Sequence, residues 1–216
     1  MDDMNHIDSL ILEASDPSAA ERFYAEAFDL GDLVQVRASD AATSGFRGFT
    51  ISLIVSQPAD ADAYLDAAVA AGATTIKPAS KSLWGYGGVV QAPDGTLWKV
   101  VTQSKKNKRP AERTYEALVL LLGVDDVAAS KEFYVEQGLG IQKSFGKKYV
   151  ELDTGDSTIE LSLYGRKAAA KDAGVGVEGS GSHRIAIAGS LGALSDPDGF
   201  AWEAARASDT AEPTQT

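Results

Sequence analysis

The chain has 216 residues, 44% of them hydrophobic and 24% charged, a composition that fits one large or two small globular domains and argues against disorder. It has no cysteine, which excludes a disulfide scaffold, a thiolate metal site and a cysteine nucleophile. The formal charge of -11 repels phosphate backbones, so nucleic acid is not an expected partner.

The acidic start Met1-Asp2-Asp3-Met4 has no apolar core behind it and does not resemble a secretory signal. No stretch approaches the run of about 20 apolar residues that spans a bilayer. A cytoplasmic location without membrane contact is the expectation. The first element is the apolar run Leu10-Ile11-Leu12, read as a strand. Asp16 can accept hydrogen bonds from a helix start and Pro17 suits the first turn. The helix predicted there carries Ala20, Phe23, Tyr24 and Ala27 on one face, where the aromatic pair reads as core.

Strands are predicted at residues 33–37, 49–55, 75–77 and 88–91, with an alanine-rich helix over 59–71 closed by Gly72. Ala92-Pro93-Asp94-Gly95 then forms a tight turn into a strand bearing Trp98 and Lys99 on opposite faces. Lys105-Lys106-Asn107-Lys108-Arg109-Pro110 lacks apolar periodicity and reads as an exposed linker, 105–112.

Beyond it the pattern repeats. Leu118-Val119-Leu120-Leu121-Leu122 is followed by Asp126 and by a helix placing Ala129, Phe133 and Tyr134 on one face. The spacing from aspartate to tyrosine equals that of the first half. Strands are predicted at 141–145, 149–153, 158–164 and 184–188. Asp196-Pro197-Asp198-Gly199-Phe200-Ala201-Trp202-Glu203 closes the second half as the earlier turn closed the first. The boundaries are 1–104 and 113–206 for the two halves and 207–216 for a polar tail. Tandem strand-helix-strand units with terminal hairpins indicate an α+β fold rather than a doubly wound sheet.

The opening strands, the paired Asp-to-Phe-Tyr helices, the loop Leu83-Trp84-Gly85-Tyr86-Gly87-Gly88 and the closing Asp-Pro-Asp-Gly-x-x-Trp-Glu resemble the glyoxalase/bleomycin resistance protein/dioxygenase (vicinal oxygen chelate, VOC) superfamily. The resemblance covers both halves. It implies tandem β-α-β-β-β modules whose mixed sheets curl around a small-molecule cavity that can hold a divalent metal. Both VOC domains look abbreviated. The first lacks two strands of its first module, and the second lacks a helix and a strand of its last module. One complete module per half would then pair across the linker.

Metal-dependent members of the superfamily take ligands from two opening and two closing strands. In the first half the matching positions are Ser9, Thr50 and Lys99; an ammonium repels a cation, so no metal is expected there. Their side chains, with Trp84 and Tyr86 available for stacking, form a candidate ligand-binding set. In the second half Glu160 and Glu203 match ligand positions, while Val119 and Arg184 occupy the others. Two readings follow. Arg184 bridges Glu160 and Glu203 as an internal cation replacing the metal. Alternatively, a bulge brings His183 into a divalent site with Glu160 and Glu203 that takes Ni, Zn, Mn or Fe.

The functional expectation is a binding or sequestering protein of the bleomycin-resistance type, with no cofactor, a small-molecule partner and a possible homodimer. The alternatives are a metal-dependent lyase, isomerase or dioxygenase using Glu160, His183 and Glu203, and a scaffold serving only dimerisation.

Overall fold

A computed structural model describes residues 6–83 and 85–205. Each half opens with a buried strand that hands over to a capped helix. In the first half this is β1 (Ile7–Ala14) and α1 (Pro17–Ala27), where Asp16 accepts from the Ala19 amide at 2.9 Å. In the second it is β8 (Ala117–Val124) and α3 (Val127–Glu136), where Asp126 accepts from Ala128 and Ala129. Both caps occupy helix-start amides that have no partner within the helix. The buried face of α1 is the predicted one. The face of α3 is different: Val127, Ser130 and Tyr134 are buried, Ala129 is exposed and Phe133 only partly covered.

The first half continues through a 3₁₀ turn (Gly31–Leu33), β2 (Val34–Ala38), β3 (Thr43–Gly45), β4 (Phe49–Ile54), α2 (Pro58–Ala70), β5 (Thr74–Ser82), β6 (Gly85–Gln91) and β7 (Leu97–Thr102). The second continues through β9 (Gly140–Ser144), β10 (Tyr149–Asp153), β11 (Ile159–Gly165), α4 (Arg166–Ala173), β12 (Gly179–Gly181), β13 (Ile185–Gly189), β14 (Leu194–Ser195) and β15 (Ala201–Ala204).

Both large sheets draw strands from each side of residues 105–112. The larger has eight strands in the order β5-β6-β7-β4-β8-β11-β10-β9. It joins one complete strand-helix-three-strand module from each half through the antiparallel pair β4–β8, in which Ile51 faces Leu120. The other, β14-β15-β13-β1-β2, joins the two abbreviated modules through β1–β13, in which Leu10 faces Ile187. A short ribbon, β3 with β12, links the two segments that stand where module strands are missing.

Alternation gives each strand one face for the main core and one turned away from it. Leu10, Leu12, Ile51, Leu53, Trp98, Leu118, Leu120, Ile187 and Trp202 point inward, with α1, α2 and α3, to one apolar cluster shared by both sheets. The linker is not simply exposed. Asp60, fully buried in the first turn of α2, accepts from Arg109 Nη2 at 2.9 Å and from the Glu112 amide at 2.9 Å. Gln57 accepts from the Lys108 and Arg109 amides and donates to the Arg109 carbonyl. Asn107 accepts from the Ala59 amide, capping α2 from outside. The charge predicted to lie in solvent is thus partly spent on a buried carboxylate. The tail 207–216 and Trp84 lie outside the described residues.

Candidate functional site

On the face of the eight-stranded sheet opposite α2 and α3, the register places Lys99, Ser52, Val119 and Glu160 side by side on β7, β4, β8 and β11. Ser52 opposes both Lys99 and Val119, and Val119 opposes Glu160. These side chains border a cleft of about 970 Å³ whose far wall carries Tyr149 and Glu151. Two opening and two closing strands supply the row, which is the arrangement that the sequence resemblance implied for metal ligands.

The chemistry of the row does not fit a divalent ion. One ammonium, one hydroxyl, one isopropyl group and one carboxylate offer a single hard anionic donor beside a cation. Among the described residues, no three His, Asp or Glu side chains are grouped to hold a metal.

Burial, followed by the neighbouring charge of Glu151, raises the Glu160 carboxyl above its ordinary range. Tyr149 bonds to Glu151 and to Ser162, each at 3.1 Å, and its hydroxyl is pushed up to about 12, first by burial. Lys143 lies 3.7 Å from Glu151 and over the Phe145 ring.

Part of the same face is covered by α4. Its buried residues Ala169, Ala170 and Ala173 pack with Phe46, Leu97 and Leu121. Gly123 permits this approach, because a Cβ there would lie 3.1 Å from the Ala169 methyl. From the last turn of α4, Asp172 forms an ion pair with Lys99.

The expected site residues separate. Thr50 lies on the cleft face two positions from Ser52 but is fully buried, and Oγ1 has no partner. Ser9 belongs to the other sheet and accepts from Gln35 at 3.2 Å. Tyr86 turns to the helical side and donates to Asp62 at 2.6 Å, a bond that with burial pushes its hydroxyl up to about 12. Tyr86 therefore does not line the cleft, contrary to the stacking role expected for it.

Glu160 and Glu203 are on different sheets, so Arg184 does not bridge them and they share no metal with His183. The His183 ring nitrogens face the carbonyls of Arg47 and Asp198 at 2.5 and 3.0 Å, and the ring stacks on Phe200. Arg184 has a left-handed backbone (φ 58°) and donates to the Ser39 carbonyl. Glu203 is instead bridged to Glu13 by Arg37, 2.7 Å from both on the five-stranded sheet.

Sequence patterns do not single out Ser52 and Asp172. The alternation Phe49-Thr50-Ile51-Ser52-Leu53 puts Ser52 on the polar face, and the alanine-rich run closed by Gly174 marks α4. Neither pattern reveals which strands are neighbours.

No protein-family model and no curated protein matches the sequence. Solved structures do match. Glyoxalase I from Zea mays is 15% identical, with a TM-score of 0.60 over 92% of this chain and 91% of that one. A Bacillus subtilis protein described as a dioxygenase candidate is 13% identical, with a TM-score of 0.51 over 89% of this chain and 71% of that one. The chain has the glyoxalase-type, vicinal oxygen chelate fold, an α+β architecture of mixed sheets. No helix among the described residues is long and apolar enough to cross a membrane.

Proposed function

We propose that the protein binds a small organic molecule in the cleft of the eight-stranded sheet and does so without a metal. The observation that carries this reading is the row Lys99, Ser52, Val119 and Glu160, which occupies the ligand-forming strands with side chains suited to organic groups. The cleft volume, about 970 Å³, lies near the upper end of small-molecule sites. Three strand spacings separate Lys99 from Glu160, about 14 Å along the sheet, so a bound molecule has distinct ends. Lys99 and Ser52 offer donors at one end; Glu160 offers a carboxyl near Tyr149 at the other.

The reading is of a sequestering protein in the manner of bleomycin-resistance proteins, acting in the cytoplasm and in a homodimer. No catalytic role is assigned to any residue. A thermal-shift screen of aromatic and polar compounds, run with Ni, Zn, Mn, Fe or chelator, tests it. Compounds should raise Tm equally in all metal conditions, and the effect should fall in K99A and E160A. Stoichiometric metal in protein purified without chelator, lost in E160A, would overturn the reading.

A further inference from the structure

The geometry points to Asp172 as an internal stand-in for an acidic group on the bound molecule, so that a carboxylate enters the cleft by exchange with the last turn of α4. This rests on the cleft being a ligand site and adds the ligand's class and the way its entry is controlled.

Lys99 stays with the sheet, its side chain 18% exposed, whereas its partner Asp172 is 47% exposed and rides on α4. The cation therefore remains in the cleft when the anion leaves. The helix that presents Asp172 is weak by its own sequence. It has eight residues, Gly165 provides no side-chain cap, and Arg166 and Lys167 place positive charge in the first turn. A helix N-terminus disfavours cations, and so short a helix has little stability apart from its docking.

On the apolar side three alanine methyls supply the buried face of the helix, and Val175 and Val177, beyond Gly174, pack on the same cluster. Polar contacts hold the rest. Arg166 donates to the Phe46 carbonyl at 2.7 Å, and Lys77 donates to the Asp172 carbonyl at 2.8 Å. The Arg166 contact holds the start of α4, and the Lys77 contact is the one that must break for the end carrying Asp172 to move. Gly174, in the left-handed region at φ 81°, follows at once and gives that end a place to turn.

A second observation is independent of charge. Thr50 stands opposite Leu121, one of the residues under α4, and its buried hydroxyl has no partner. The docked arrangement thus leaves a buried polar group on this sheet face unsatisfied, which weakens the docking of α4.

The test uses two probes of one shape, 2-naphthoate and 2-naphthalenemethanol, titrated calorimetrically into the full chain and its variants. In D172N the affinity for naphthoate should rise about tenfold, the gain expected if Asp172 occupies Lys99 in about nine molecules of ten, a penalty that falls only on a ligand that needs the ammonium. The neutral alcohol should bind wild type and D172N within about twofold of each other. K99M should remove the preference for the acid. Naphthoate should also speed hydrogen exchange of the amides at residues 170–174 in wild type. Equal naphthoate affinity in wild type and D172N, with the alcohol still binding, would sink the exchange and leave the cleft reading standing. Failure of both probes in every variant would sink both.

Discussion

Tyr134 donates a hydrogen bond of 2.8 Å to Asp196, joining the helix on the eight-stranded sheet to the turn that leads into β15 of the five-stranded sheet. Tyr24 and Asp94 make the reciprocal connection at 2.6 Å, from α1 to the turn before β7. Each bond lies within its own half of the chain, and each spans the two sheets. The repeated Asp-to-Tyr and Pro-Asp-Gly signatures are therefore two ends of one clasp. The turns differ in detail. Asp94 takes the tyrosine and the Thr96 amide, whereas Asp196 takes the tyrosine and Asp198 is held by Ser130 and the Asp125 amide.

Removing either hydroxyl should cost about 2 kcal/mol, the worth of a hydrogen bond to a charged acceptor. Y24F and Y134F should each lower the urea midpoint with m unchanged. Both phenols are held well above 10, first by burial and then by the aspartate charge. Because the folded-state value lies above the unfolded one, their contribution is complete below about pH 10 and is lost as pH rises further. Alkaline unfolding followed by circular dichroism should become less steep in Y134F; an unchanged profile would show that another group governs it.

Asp60 makes a second prediction. Its fully buried carboxylate serves Arg109, Gln57 and the Glu112 amide, so it ties the segment after β7 to α2. D60A leaves those donors without their acceptor and should cost about 3 kcal/mol, at the lower end for breaking a buried pair. R109M should cost nearly as much, since it leaves Asp60 buried without its cation. Urea unfolding measures both, and a loss within about 0.5 kcal/mol would mean the linker is only loosely attached.

Alternation and capping signals make most elements of this fold legible in the amino-acid sequence. Apolar period, Asp16, Asp126 and the two Pro-Asp-Gly turns locate the strands and helices within a few residues. Sheet membership is another matter. The facing of β4 with β8, and of β1 with β13, depends on contacts between residues far apart in the chain, and no local pattern encodes it. For that reason motif matching selects Thr50 where Ser52 stands in the row, and it groups Glu160 with Glu203 although separate sheets hold them. Arg184 misleads for a local reason. Its positive φ breaks the alternation one residue before β13 begins and sends the side chain to Ser39. The expected bridge from Arg184 to Glu160 and Glu203 is not formed; Glu203 pairs with Arg37, which also holds Glu13.

Glu160 gives a pH-dependent prediction for the cleft. Its carboxyl is raised by burial and by Glu151, so the folded protein holds its proton more tightly than the unfolded chain does. Stability from this group is present below the unfolded value, about 4, and is lost as pH rises through the folded one. E160Q should therefore raise Tm at pH 7 relative to wild type. The difference should shrink toward zero in acid. A constant offset at all pH values would place the effect in packing rather than in charge.

Arg37 tests the other sheet. Its guanidinium lies between Glu13, 16% exposed, and Glu203, 37% exposed, while it is itself 40% exposed. Solvent screens such a triad, so R37M alone should cost only about 1 kcal/mol despite two short contacts. Part of that loss is repulsion between the carboxylates left behind. Adding E203Q should recover part of the loss in R37M, yet E203Q alone should destabilise wild type. The opposite signs are the diagnostic, read from urea midpoints in a double-mutant cycle. If E203Q had the same effect in both backgrounds, Arg37 would be a surface cation with no part in balancing this face of the sheet.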